Sequence, residues 1–93
     1  MESQVFKSVW DALEDSAEQA TNMRLRSELM IALCTQTEAW KMTQAKAAKR
    51  LGITQPRMND LLRGRIDKFS LDALVGLAES AGLDVRLKVR SAA

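Results

Sequence analysis

The sequence predicts an all-α fold of five helices, followed by one β-strand at its C-terminal end. Gly and Pro are sparse, with four and one among 93 residues, so few positions interrupt a helix. Strand patterns are almost absent before residue 83. Residues that favour a helix N-cap precede several stretches whose apolar positions recur at helical spacing. They are Ser16, Thr43, Thr54 and Ser70.

The N-terminal half predicts two of the five helices. Residues 8–13 favour a short helix or turn, with Val9, Trp10 and Leu13 as its apolar side. Ser16 and Gln19 match a capping box, which predicts that a long helix begins there and runs to about Ala39. Two neighbouring stripes lie along this long helix at helical spacing: Leu25, Leu29, Leu33, Gln36 and Trp40, and Met23, Met30 and Cys34. An apolar sector this wide predicts contact with the N-terminal segment or with another protein, in addition to a small core.

Two short helices joined by a tight turn follow. Thr43 is predicted to cap residues 44–51, with Met42 stapled onto Ala47, and Thr54 is predicted to cap residues 55–63. Gly52 and Gly64 end the two helices, because Gly adopts a positive φ at little cost. A small residue, a Gly four positions later and aliphatic residues six and nine positions after that Gly are typical of a helix-turn-helix; these are Ala48, Gly52, Met58 and Leu61. An ordinary α-hairpin in a small bundle is the alternative.

The C-terminal part predicts one more helix and a strand. Ser70 is expected to cap residues 71–81 while Phe69 packs on Leu74, and Gly82 ends that helix. Residues 83–90 alternate apolar and charged side chains, the period of a half-buried strand. The apolar positions Val85, Leu87 and Val89 predict that this strand pairs with its copy in a homodimer. Pairing with residues 4–6 of the same chain is the alternative.

The motif TQ-x-x-AA-x-x-LGITQPR-x-x-x-LLRG, residues 43–64, resembles the XRE family, the lambda and 434 repressor or Cro type of helix-turn-helix. The flanking segments resemble a bacterial subgroup of HigA-like antitoxins, although Lys46 stands where the family more often has an acid. The resemblance implies a lambda-repressor-like domain over 23–82, preceded by an N-terminal segment, 1–22, and followed by the strand and tail, 83–93. It also implies a cytoplasmic, nucleoid-associated repressor that binds a palindromic double-stranded DNA operator and regulates its own operon as an antitoxin.

The same resemblance and the helical geometry nominate the DNA-contacting residues. The candidates for reading bases are Gln55, Arg57, Asn59 and Asp60, since Gln and Asn pair with adenine and Arg with guanine. For Asp60, orienting Arg57 and Arg63 is the alternative to accepting a hydrogen bond from cytosine. Met58, Leu61 and Leu62 are expected on the buried side of the same helix. The candidates for contacting the DNA backbone are Thr43, Gln44, Thr54, Arg63, Arg65 and Lys68.

Composition argues against an enzyme. The chain has no His and one Cys, so a His general base, a Ser-His-Asp triad and a Cys-based metal site are excluded; we expect no metal and no cofactor. Cys34 is interpreted as a small buried hydrophobic residue, and Trp10 and Trp40 are interpreted as core or interface anchors. Four Met residues are predicted to fill the core: Met23, Met30, Met42 and Met58. We expect no secretory leader and no membrane span.

The charge is unevenly distributed. Residues 1–40 hold three basic and seven acidic residues, a net charge of −4, and residues 41–93 hold eleven basic and five acidic residues, a net charge of +6. A basic half fits a polyanion partner. The acidic half leaves open a second class of function, a protein-interaction module that binds a basic toxin nuclease, as well as a free-standing regulator without a toxin.

Overall fold

In a computed structural model, the chain forms four α-helices and one 3-10 helix over the residues that the structure describes, which are 2–92 for the backbone and 16–92 for the side chains. The α-helices are α1 (Glu2–Ala39), α2 (Gln44–Leu51), α3 (Gln55–Leu62) and α4 (Leu71–Ser80), and the 3-10 helix is Ile66–Lys68. The all-helical fold and the helix-turn-helix, α2–turn–α3, are confirmed. The predicted count of five α-helices is wrong.

The first two predicted helices are one continuous helix of 38 residues. Ser16 lies in the interior of α1, so the capping box there does not begin a helix. The sequence up to residue 39 has no Gly or Pro, and extending an existing helix costs far less than nucleating a new one. Val9, Trp10 and Leu13 have side chains outside the described residues.

Each later α-helix begins directly after the residue that the sequence predicts as its N-cap. The Thr43 hydroxyl accepts from the Lys46 N–H at 3.2 Å, and the Thr54 hydroxyl accepts from the Arg57 N–H at 3.3 Å. Ser70 accepts from the Ala73 N–H at 3.1 Å in the same way. Gly52 closes α2 with φ 74°, a left-handed conformation that favours Gly. These local bonds fix where α3 starts and therefore which of its residues are exposed.

The core lies where the four α-helices meet. Its largest fully buried side chains are Phe69, Leu33, Met58, Leu61 and Leu74, which agrees with the predicted roles of Met58, Leu61 and the Phe69–Leu74 pair. Leu62 is 40% exposed, so its assignment to the buried side is wrong: it lies 100° around α3 from Leu61 and turns away from the core. Met23 and Met42, predicted as core residues, are also exposed, at 45% and 37%.

Residues 83–92 carry no β-strand. The Leu83 N–H donates to the Ala78 carbonyl at 2.9 Å and Leu83 packs against the core, but Leu87 and Val89 are 79% and 83% exposed. A strand needs a neighbour to satisfy its backbone groups, and the described part of this single chain offers none. Residues 4–6 lie within α1, so the intrachain pairing is wrong, while pairing across a dimer stays a prediction.

Helix α1 makes the molecule elongated, with principal extents of 57 × 30 × 16 Å. Residues 16–24 of α1 are all exposed, and its buried positions begin at Met30. The described helices include none that is long and apolar enough to cross a membrane.

Candidate nucleic-acid interface

The N-terminal ends of α2 and α3 lie side by side. Gln44, the first residue of α2, is half-buried, and its Nε2 reaches the carbonyl oxygen of Gln55 at 3.5 Å. Gln55, the first residue of α3, is exposed. The turn thus brings together two of the predicted DNA-contacting residues and leaves the Gln55 side chain open to a ligand.

Three more of the predicted residues lie along the exposed side of α3 and at its C-terminal end. Arg63 is exposed, and Asn59 and Asp60 are half-buried at the edges of this side. The Asp60 carboxylate forms an ion pair with Arg65 at 3.6 Å. The described residues give it no ion pair with Arg57 or Arg63, so the alternative role of orienting those two arginines is not what this structure shows. Asp60 instead holds the loop that follows α3.

Arg57 turns toward that same loop. Its Nη1 donates to the Lys68 carbonyl at 3.1 Å, and its guanidinium carbon lies 4.3 Å from the centroid of the Phe69 ring. Both contacts are made to residues of the same chain, and the cation–π contact contributes stabilisation in addition to that of the hydrogen bond. Of the four predicted base readers, Arg57 is therefore the one most committed to an internal structural contact.

The loop of residues 63–68 carries three cations after α3. Gly64 has φ 70°, which allows the chain to turn sharply before the 3-10 helix. Arg63, Arg65 and Lys68 are all exposed, and only Arg65 has an ion pair among the described residues. The side chains of Arg63 and Lys68 are available to a polyanion.

The "Helix-turn-helix domain" family matches residues 12–90 of the chain. The chain belongs to this helix-turn-helix family. A solved structure described as a "Putative XRE Family Transcriptional Regulator" is similar to it, with 30% identity, a TM-score of 0.73, and coverage of 78% of this chain and 82% of that one. No curated protein matches the chain significantly.

Both matches support DNA binding in transcription regulation as the general role of this helix-turn-helix protein. They support the XRE type and not the HigA-like subgroup. Proteins of this family are generally not enzymes. Within the described residues, no group of three or more His, Cys, Asp or Glu side chains is placed to hold a metal.

Sequence reasoning missed the hydrogen bonds of two polar residues that position the helix-turn-helix domain, although the predicted stripe along α1 includes one of them, Gln36. Arg26 of α1 donates through Nη1 to the carbonyls of Ile66 and Phe69, at 3.0 and 3.3 Å, while its Nε is buried without a hydrogen bond. Gln36 donates through Nε2 to the Ala81 carbonyl at 2.9 Å and so satisfies the C-terminal end of α4. The signal for Arg26 is its spacing, since it lies four residues before buried Met30 on the core-facing side.

Cys34 lies at the edge of the core. Its Sγ is 3.5 Å from the Leu61 carbonyl. Burial, and to a smaller extent the charge of Glu38, raise the pKa of the Cys34 thiol above its ordinary value. The thiol is therefore protonated near neutral pH, in agreement with the interpretation of Cys34 as a small packing group.

Proposed function

We propose that this chain is a sequence-specific repressor that binds double-stranded DNA through α3, in the cytoplasm, as a homodimer on a palindromic operator. The observation that carries the proposal is the exposed start of α3, where Thr54 caps the helix and Gln44 braces the Gln55 carbonyl. The N-terminal end of the second helix is the part that enters the major groove in this motif. Gln55 is therefore the first candidate for base readout, followed by Asn59 and Asp60, with Arg57 last.

The loop cations supply contacts that do not depend on sequence. Arg63 and Lys68 are exposed and unpaired within the described residues, and Arg65 is 47% exposed in its weak pair with Asp60. Thr43, Gln44 and Thr54 lie at the two helix N-terminal ends, where backbone amides favour a phosphate. Such contacts set the position of the protein along the DNA, while the contacts of Gln55 with base edges determine which sequence is bound.

The test is a binding titration with the DNA upstream of the chain's own coding region, using a scrambled duplex of equal length as the control. Wild-type chain is expected to prefer the upstream DNA. Gln55→Ala is expected to reduce that preference, and Ser80→Ala, an exposed substitution at the far end of α4, serves as the matched variant with unchanged binding. Equal affinity of wild-type chain for both duplexes would contradict sequence-specific binding.

A second role, binding a basic protein such as a toxin nuclease, is favoured by one feature. The half of the chain that contains α1 has a net charge of −4, of which residues 1–15 contribute −3, and the described side chains that follow them, residues 16–24, are all exposed. Opposite charge would speed encounter with a basic partner more than it adds affinity. Co-expression with the product of the adjacent gene, followed by co-purification at low salt, tests this role, and absence of a complex would contradict it.

A further inference from the structure

We infer that the exposed face of α1 centred on Ile31 is the surface through which two copies of this chain associate. Ile31 is 67% exposed, by far the most exposed large apolar side chain of α1 among the described residues. DNA binding by the helix-turn-helix does not require an exposed apolar residue at this position, since Ile31 lies on neither α2 nor α3. The inference rests on the proposed dimeric DNA binding and specifies how the two subunits meet.

The charges around Ile31 identify a second copy as the occupant. Arg24 lies seven residues before Ile31 and Glu38 lies seven residues after it, and both are exposed without an ion pair among the described residues. Seven residues are nearly two helical turns, so all three side chains share one face. This face carries a cation at one end, an apolar centre and an anion at the other end.

Such a face is complementary to itself in one orientation. If two α1 helices pack antiparallel with the two Ile31 side chains at the centre, Arg24 lies opposite the partner's Glu38, and Glu38 lies opposite the partner's Arg24. In a parallel pair, like charges would face each other instead. A two-fold contact in which the same patch serves both subunits is the commonest form of homodimer. The apolar centre supplies affinity, and the exposed ion pairs mainly set the orientation.

Two grooves flank this face and give it extent. One, of about 420 Å³, lies between α1 and the end of α3, where exposed Met23 and Leu62 line it with Cys34. The other, of about 500 Å³, lies on the opposite flank of α1, where Leu71, Val75 and Leu87 line it. A partner helix laid along Ile31 lies between these grooves and covers the apolar walls of both.

The same two-fold also determines on which side of the α1 pair the two α3 helices lie. Its axis runs perpendicular to the plane of two antiparallel helices, so each flank of α1 stays on the same side of that plane in both subunits. Both α3 helices then lie on one side of the α1 pair, and both tails, residues 83–90, lie on the other. Binding an inverted repeat requires the first of these, because both recognition helices must face one DNA duplex.

The test measures the dimer dissociation constant of the full chain by sedimentation in the absence of DNA. Ile31→Glu is expected to raise this constant by roughly tenfold or more, as removal of a central apolar anchor does at many interfaces. Val89→Glu is the matched control, because Val89 is also highly exposed, at 83%, and lies in the tail beyond the residues that line either groove. It is expected to change the constant much less. Far-ultraviolet circular dichroism verifies that each variant is folded.

A charge exchange tests the orientation. Arg24→Glu and Glu38→Arg are each expected to weaken the dimer, and the double variant is expected to bring the constant back toward that of the wild type. A monomeric wild-type chain, a folded Ile31→Glu variant that dimerises as the wild type does, or a double variant weaker than both single ones would overturn the inference. These outcomes leave DNA binding itself untouched, since the upstream-DNA preference of Gln55→Ala is measured separately.

Discussion

Truncation of the Arg57 side chain distinguishes two roles for this residue. Loss of a residue that reads a base would change DNA specificity, whereas loss of a residue that makes internal contacts would lower the stability of the fold. Arg57→Ala removes the hydrogen bond to the Lys68 carbonyl and the stacking on Phe69. A net hydrogen bond contributes about 0.5–1.5 kcal/mol, and an exposed cation–π contact contributes about 0.5–1 kcal/mol. We therefore expect Arg57→Ala to lower the free energy of unfolding by about 1–2.5 kcal/mol.

Thermal unfolding followed by circular dichroism measures this decrease. In a domain of this size, 1 kcal/mol corresponds to about 4–8 °C in Tm, so a fall of roughly 4–20 °C is expected. Arg63→Ala is the matched control, since Arg63 is exposed at the end of the same helix and its side chain has no hydrogen bond or ion pair among the described residues. Its effect on the free energy of unfolding should stay within about 0.5 kcal/mol.

A double-mutant cycle with Phe69→Leu isolates the stacking from the general effect on core packing. The expected coupling energy between Arg57 and Phe69 is about 0.5–1 kcal/mol. On DNA, Arg57→Ala should weaken operator and random duplex in similar proportion, because it loosens the loop that carries Lys68. An unchanged Tm, together with a loss of preference at one base pair, would refute this reasoning and return Arg57 to the base readers.

Four further outcomes are expected. Gln55→Ala should cost about 1–3 kcal/mol on the operator and relax preference at one base pair, as anisotropy titrations with single-base variants of the operator would show. Arg65→Ala or Lys68→Ala should instead weaken binding to operator and random DNA alike. The slope of log affinity against log salt concentration should fall by about one unit for each phosphate that a subunit no longer neutralises, and an unchanged slope would argue against phosphate binding by that residue. Glu38→Gln should shift the pH profile of Cys34 alkylation to lower pH, because Glu38 helps to raise the pKa of that thiol. Because the pKa of this thiol is higher in the folded state than its ordinary value of 9.0, the free energy of unfolding of the wild-type chain should fall as the pH rises above 9.0.

The helix-turn-helix was predictable because its boundaries depend on neighbouring residues. Thr43, Thr54 and Ser70 each bond an amide three residues away, and Gly52 needs only its own φ. These signals hold whatever surrounds them, so α2, α3 and α4 start where the sequence predicts. The capping box at Ser16 failed for a related reason: it indicates that a helix can begin there, but nothing upstream makes the preceding helix stop.

The bonds that position the site were not predictable from local pattern. Arg26 bonds to carbonyls 40 and 43 residues away, and Gln36 bonds to one 45 residues away. Spacing places both side chains on buried or half-buried faces of α1 but cannot name the carbonyl that each one meets. The conformation of the tail, residues 83–90, was not predictable for a similar reason. Its alternation of apolar and charged side chains indicates strand propensity, but a strand also needs a neighbouring strand with which to pair.

Two arginines make internal contacts with the loop that carries the exposed cations Arg63, Arg65 and Lys68. Arg26 holds the carbonyls of Ile66 and Phe69 from the side of α1, and Arg57 holds the Lys68 carbonyl from the side of α3. The backbone that carries Lys68 is thereby fixed from two directions, so less conformational entropy is lost when its ammonium binds a phosphate. The same bonds join α1, the proposed dimer helix, to α3 through one short loop. A change in how two α1 helices pack would therefore alter the separation of the two α3 helices, and the preferred spacing of operator half-sites should follow the α1 interface.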